Sequence, residues 1–111
     1  MSIATLTIAA LASSPAFAQK TYTPDQLKTM VASGKYPAQG APSTRSEVVS
    51  FSVCVAKVQE MLGAVRSNYP VTTIVSTKIL RVEKLWTNDA AMTFSCSAPD
   101  GKLAITSAPY K

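Results

Sequence analysis

The strongest constraint on what this chain can fold into lies at its N-terminus. Ile3 to Ala12 form an apolar stretch, Ser13-Ser14-Pro15 interrupt it, and Ala16-Phe17-Ala18 stand before Gln19. A short apolar run followed by a small-x-small site is the pattern of a secretory signal peptide, with cleavage expected between Ala18 and Gln19. The basic residue usual before such a run is missing, since only Met1 and Ser2 precede Ile3. A membrane anchor is the poorer reading, because a spanning helix needs roughly 20 apolar residues. The expected product is a soluble periplasmic or secreted protein without stable membrane insertion, and residues 1–18 take no part in its fold.

Two consequences follow for the remaining chain. It is short enough that one small core must carry its stability, so a covalent cross-link would help. It also enters an oxidising compartment, where Cys54 and Cys96 are expected to be bonded. All charged residues lie after Ala18, with 11 Lys and Arg against 6 Asp and Glu, a net charge of +5. Such an excess favours acidic partners: anionic lipid headgroups, acidic polysaccharide or an acidic envelope protein rather than nucleic acid. The plainer reading of the charge is solubility.

Composition divides the chain near Arg45. Residues 19–44 hold three prolines and two glycines around one short helix, from Thr23 or Pro24 to about Ala32. Thr23 is its expected N-cap, Pro24 and Asp25 suit its first turn, and Gly34 stops it. Lys35 to Thr44 reads as an extended connector, with a plain linker as the expected role and a docking segment as the alternative. From Ser46 the apolar residues Phe51, Cys54, Val55, Val58, Met61, Leu62 and Val65 recur at spacings of three and four. This predicts an amphipathic helix of about five turns ending near Ser67-Asn68, ahead of Pro70. Val48, Val49, Val53 and Val55 leave its first turn open to a strand.

The last third predicts a three-stranded antiparallel meander: Val71 to Thr87, Ala91 to Ser97 and Lys102 to Ala108, with turns at Asn88-Asp89 and Pro99-Asp100-Gly101. The first strand is long and of mixed parity, which a bulge or bend near Ser76-Thr77-Lys78 would reconcile. Cys54 falls on the apolar helix face and Cys96 on the apolar strand face. Packing the helix on the sheet brings them together, and a Cys54–Cys96 disulfide is the economical expectation. The expected fold is therefore α+β: one long amphipathic helix on a three-stranded β-meander (residues 45–111), a short N-terminal helix and connector (19–44), and one disulfide.

Signals for catalysis are few. The chain has no histidine, which excludes histidine triads and most zinc sites. Its six carboxylates are dispersed, and Asp25, Asp89 and Asp100 have helix-start or turn explanations. Gly-rich phosphate loops and calcium-loop spacings are absent, and no cofactor, metal or enzymatic activity is expected. Two surface candidates stand out. Lys78, Lys84 and Trp86 share a parity on the long strand, with Arg81 and Glu83 on the other. Lysine beside tryptophan on an open sheet can hold an anionic or planar ligand. Alternatively Trp86 is core and the lysines guard a strand edge. Tyr22, Tyr36, Tyr69 and Tyr110 stand at element ends, as interface anchors or as lids over a small core.

The order of Ala16-Phe17-Ala18, Lys35-Tyr36-Pro37, Tyr69-Pro70-Val71, Leu85-Trp86-Thr87-Asn88-Asp89 and Cys96-Ser97-Ala98-Pro99-Asp100-Gly101 resembles small exported uncharacterised proteins of Gram-negative alphaproteobacteria. The resemblance spans nearly the whole chain after Ala18 and implies a periplasmic address, with no activity attached. The functional expectation is a small, non-catalytic binding or protein-interaction module of the cell envelope. The alternative is direct binding of an anionic envelope polymer or lipid through Lys78, Arg81, Lys84 and Trp86.

Overall fold

A computed structural model of the chain describes residues 20–111. The expected signal peptide, residues 1–18, and its cleavage point lie outside the described residues.

The first element is helix α1, Pro24–Ala32. Its start is a reciprocal cap: the Thr23 hydroxyl accepts from the Gln26 N–H at 3.1 Å, and the Gln26 side-chain carbonyl accepts from the Thr23 N–H at 2.8 Å. Two N–H groups that the helix cannot pair internally are thus satisfied. Beyond its C-terminus Gly34 adopts φ +74°, a conformation that costs other residues about 1–2 kcal/mol. Strand β1 (Ser43–Val48), helix α2 (Phe51–Val65), and strands β2 (Val71–Ser76), β3 (Leu80–Trp86), β4 (Ala90–Ser97) and β5 (Lys102–Pro109) follow.

The strands form one five-stranded sheet in the order β1-β5-β4-β3-β2, with every neighbouring pair antiparallel. This overturns the expected long helix on a three-stranded meander: the fold is β-rich, with helices of 9 and 15 residues. Two features account for the difference. Ser46 to Val48 do not begin the helix; they belong to β1, which pairs with β5 through Val48 opposite Lys102. The β-branched pair Val48-Val49 favours an extended backbone, and α2 starts only after Ser50. The long strand is also a hairpin. Ser76-Thr77-Lys78 does not bend one strand; it enters a full reversal that pairs Ser76 with Arg81.

That reversal lacks the usual Gly, Pro, Asn or Asp. Thr77 builds it instead, its hydroxyl accepting from the N–H groups of Ile79 (3.3 Å) and Leu80 (2.9 Å). Thr87 does the same work in the next hairpin, accepting from the Ala90 N–H at 3.2 Å and donating to the Ala90 carbonyl at 2.8 Å. Threonine hydroxyls can stand in for a backbone turn bond in this way. The mixed parity of β2 and β3 is resolved by the hairpin together with a bulge at Ile74, where the register shifts between Thr73 and Val75.

Directly paired residues share a sheet face, so the register divides the sheet cleanly. One face carries Leu103 and Ile105 of β5, Met92, Phe94 and Cys96 of β4, and Arg81, Glu83 and Leu85 of β3. Helix α2 lies on it, burying Cys54, Val58 and Leu62 against Leu85, Phe94, Cys96 and Leu103. Each such fully buried aliphatic or aromatic side chain contributes about 1.5–3 kcal/mol. The Cys54–Cys96 disulfide runs through this cluster, with a Cα separation of 5.8 Å. The opposite face carries Leu80, Val82, Lys84 and Trp86 of β3 with Thr93 and Ser95 of β4. Helix α1 closes one end of it, where Leu27 is buried with Trp86, Ala91 and Tyr110.

Candidate functional site

The uncovered part of that second face, beside α1, contains a recess of about 250 Å³ lined by Tyr36, Gln39, Thr72, Ile74, Lys84 and Trp86. Its floor is Trp86, which is 3 % exposed. The Trp86 N–H at the strand end donates to the Pro70 carbonyl, which holds the end of β3 against the β2 entry. Its indole Nε1, by contrast, is buried and has no hydrogen-bond partner among the described residues. A buried polar group left unpaired costs about 1–3 kcal/mol.

Tyr36 stacks on the indole, with ring centroids 5.1 Å apart and planes 13° from parallel. The connector delivers it there. Gly34 turns the chain out of α1, Pro37 is buried, and Gln39 forms a bridge with Tyr110. The Gly40 N–H donates to the Pro109 carbonyl at 2.6 Å and the Lys111 N–H to the Ala38 carbonyl at 3.0 Å. The segment from Lys35 is therefore a docked strap. Gly40 suits the crossing, because a Cβ there would stand 3.3 Å from the Pro109 carbonyl oxygen.

Lys84, two residues before Trp86 and on the same face, places its ammonium 4.6 Å from the indole centroid. A cation over an indole face gains about 0.5–2 kcal/mol and keeps outward N–H donors. On the opposite wall Ile74, the bulged residue of β2, is 55 % exposed, and Tyr36 is 54 % exposed. The recess thus combines a fixed aromatic floor, two apolar walls open to water and one cation.

The four residues singled out by charge and parity separate. Lys84 and Trp86 meet in the recess. Lys78 is exposed in the β2–β3 turn. Arg81 is on the α2 face, its Nε 2.6 Å from an oxygen of Glu83, which is 1 % exposed. The Thr73 hydroxyl donates to the other Glu83 oxygen at 2.7 Å, and the Gln59 amide to the first at 3.2 Å. Burial alone would raise the Glu83 pKa; Thr73, Arg81 and Gln59 together hold it below the ordinary carboxylate value. Glu83 is a buried anion that accepts three side-chain hydrogen bonds.

Three of the tyrosines serve the core. Tyr110 is buried, its hydroxyl 2.7 and 2.9 Å from the carbonyls of Thr87 and Ala90, and burial followed by the charge of Asp89 pushes its pKa upward. Tyr22 packs edge-on against it at 5.2 Å, and Tyr69 touches both clusters. Tyr36 lines the Trp86 recess, and Tyr22 also borders a shallow surface depression beside Asp25, Gln26, Thr29 and Met30 of the first helix. The sequence singled out Tyr36 as an interface anchor or lid without placing it beside Trp86, and Gln39, Thr72 and Ile74 were missed as lining residues. The available signal was an aromatic residue before Pro37 inside an otherwise small and polar connector.

Among the described residues no group of three or more His, Cys, Asp or Glu could hold a metal ion, and no helix is long and apolar enough to cross a membrane. Comparison with family models, with curated proteins and with solved structures gave no match.

Proposed function

We propose that this chain is a small, non-catalytic binding module of the bacterial cell envelope, and that it holds an anionic ligand with a flat or apolar face in the Trp86 recess. The observation that carries the reading is the stack of Tyr36 on Trp86 with the Lys84 ammonium 4.6 Å from the indole centroid, at the wall of an open recess. A ligand ring or aliphatic face covers Tyr36 and Ile74, and its anionic group meets Lys84. Acidic polysaccharide combines both chemistries in one unit. The periplasmic address rests on the expected signal peptide ending at Ala18 and fits the Cys54–Cys96 disulfide, which persists in oxidising compartments.

Trp86 is the only tryptophan in the chain, so its fluorescence reports directly on the site. Titration with polygalacturonate oligomers is expected to change that fluorescence saturably, whereas neutral dextran leaves it unchanged. Lys84→Gln should weaken the response about fivefold, the ~1 kcal/mol of one partly exposed charge contact. Added salt should weaken it as well. Vesicles rich in phosphatidylglycerol separate a lipid headgroup from a sugar as the source of the anion. Indifference of Trp86 to both anionic probes, or a response untouched by Lys84→Gln, rules the reading out.

A further inference from the structure

From the unguarded edge at β1 we infer that the protein self-associates through this strand, two copies pairing antiparallel to give one continuous ten-stranded sheet. This surface is separate from the Trp86 recess, which lies at the β2–β3 side.

The two edges of the sheet differ. At the β2 edge the bulge at Ile74 breaks the register, a device that discourages strand addition. At the β1 edge all six residues are exposed, the pairing with β5 is uninterrupted from Ser43 to Val48, and the strand contains no proline or glycine. Val48 is 91 % exposed. Such an edge is a template for another strand.

The phase of the free backbone groups follows from one bond. The Val49 N–H donates to the Gly101 carbonyl at 3.0 Å, next to the pair Val48 and Lys102. In an antiparallel ladder this makes Val48 a pair whose own N–H and C=O point away from β5, and the alternation gives Ser46 and Thr44 the same outward aim. Glu47, Arg45 and Ser43 turn their groups inward to β5.

Charge then chooses the occupant and the register. Arg45 and Glu47 stand two apart on the α2 face of β1, and Arg45 forms no ion pair among the described residues. When Ser46 of one copy opposes Ser46 of the other, every outward N–H meets an outward carbonyl. Arg45 of each copy then faces Glu47 of the other in a non-hydrogen-bonded pair, where side chains approach most closely. Sliding by one pair either way sets Arg45 against Arg45 or Glu47 against Glu47 and leaves outward groups unpaired. The strand is self-complementary in one register only. Lys57, 3.1 Å from Glu47, joins the network from α2, and Val48 packs beside Thr44 of the other copy. The two-fold axis runs perpendicular to the sheet, so both α2 helices lie on the same face.

Sedimentation velocity on the oxidised protein, recovered from its producing cells, tests this over a concentration series into the millimolar range. A concentration-dependent dimer is expected. Arg45→Glu or Glu47→Arg alone should raise its dissociation constant about tenfold by setting like charges opposite each other, and the double variant should restore it. Ser46→Pro removes an N–H that the monomer's sheet does not use, and should abolish the dimer with the far-ultraviolet circular dichroism unchanged. Three results overturn the inference: a single-chain mass throughout, a dimer that survives Ser46→Pro, or a double variant as weak as the single ones. A single-chain mass with another polypeptide crosslinked to β1 in cells assigns the edge to a foreign strand instead.

Discussion

Glu83 shows how a residue that looks isolated along the chain becomes the most constrained carboxylate in the fold. Its neighbours in space come from three elements: Gln59 of α2, Thr73 of β2 and Arg81 of its own strand. Arg66 extends the network by donating to Gln59 at 3.5 Å. The ionised form is the one these donors favour, so the folded-state pKa lies below the unfolded value. Glu83 therefore contributes stability that is present above the unfolded carboxylate pKa and is lost as pH falls through the folded one. Glu83→Gln is expected to cost about 2 kcal/mol at neutral pH, because it leaves Arg81 without its counter-charge in a half-buried position. It should also flatten the loss of stability between neutral pH and pH ~3. Urea unfolding at the two pH values measures both effects; equal acid sensitivity in the variant and the parent removes Glu83 from that role. None of this was legible in the sequence, since sign and spacing alone do not reveal which charges a hairpin and a helix will bring together. The ion pair of Arg81 was hidden for the same reason: its parity was visible, but not the buried carboxylate it meets.

At the scale of elements, legibility followed the presence of specific local chemistry. Helix α1 was readable because Thr23, Pro24, Asp25 and Gly34 each satisfy a terminus, and the β4–β5 turn because Gly101 supplies the positive φ, +62°, that the reversal needs. The Cys54 and Cys96 faces were readable from helical and strand periods. Strand β1 was hidden because it is an exposed edge with a polar sequence, and an edge strand has no apolar alternation to display. The β2–β3 hairpin was hidden because a threonine hydroxyl, rather than glycine or asparagine, closes its turn. The docked strap was hidden because its contacts reach the far end of the chain, at Pro109 to Lys111. Thr77→Val tests the reading of the hairpin. It keeps the β-branched shape and removes the hydroxyl, so it should lower stability by about 0.5–1 kcal/mol and speed amide exchange at Ile79 and Leu80. Unchanged exchange at those two amides would show that the hydroxyl does not hold the turn.

For the whole molecule, the disulfide decides how two layers become one domain. Cys54 and Cys96 are 42 residues apart in sequence, and the segment between them carries most of α2, all of β2 and β3 and nearly all of β4. Closing a loop of this length constrains the unfolded chain by about 4 kcal/mol in the entropy model. The net stability of a small domain is about 5–15 kcal/mol, so the bond supplies a large part of the margin. It joins α2 to the sheet at the centre of the buried cluster, whereas α1, β1 and β5 lie outside the closed loop and are held by packing and hydrogen bonds alone. The double variant Cys54→Ala, Cys96→Ala removes the bond without leaving thiols to re-form it. It should unfold at a much lower urea concentration than the oxidised protein, by about 4 kcal/mol or more once the small cavity at the cluster is added. Because the cross-linked unfolded chain is the more compact, the variant should also show the steeper dependence of unfolding free energy on urea. A variant whose midpoint matches that of the oxidised protein would mean that the helix and sheet hold each other by packing alone.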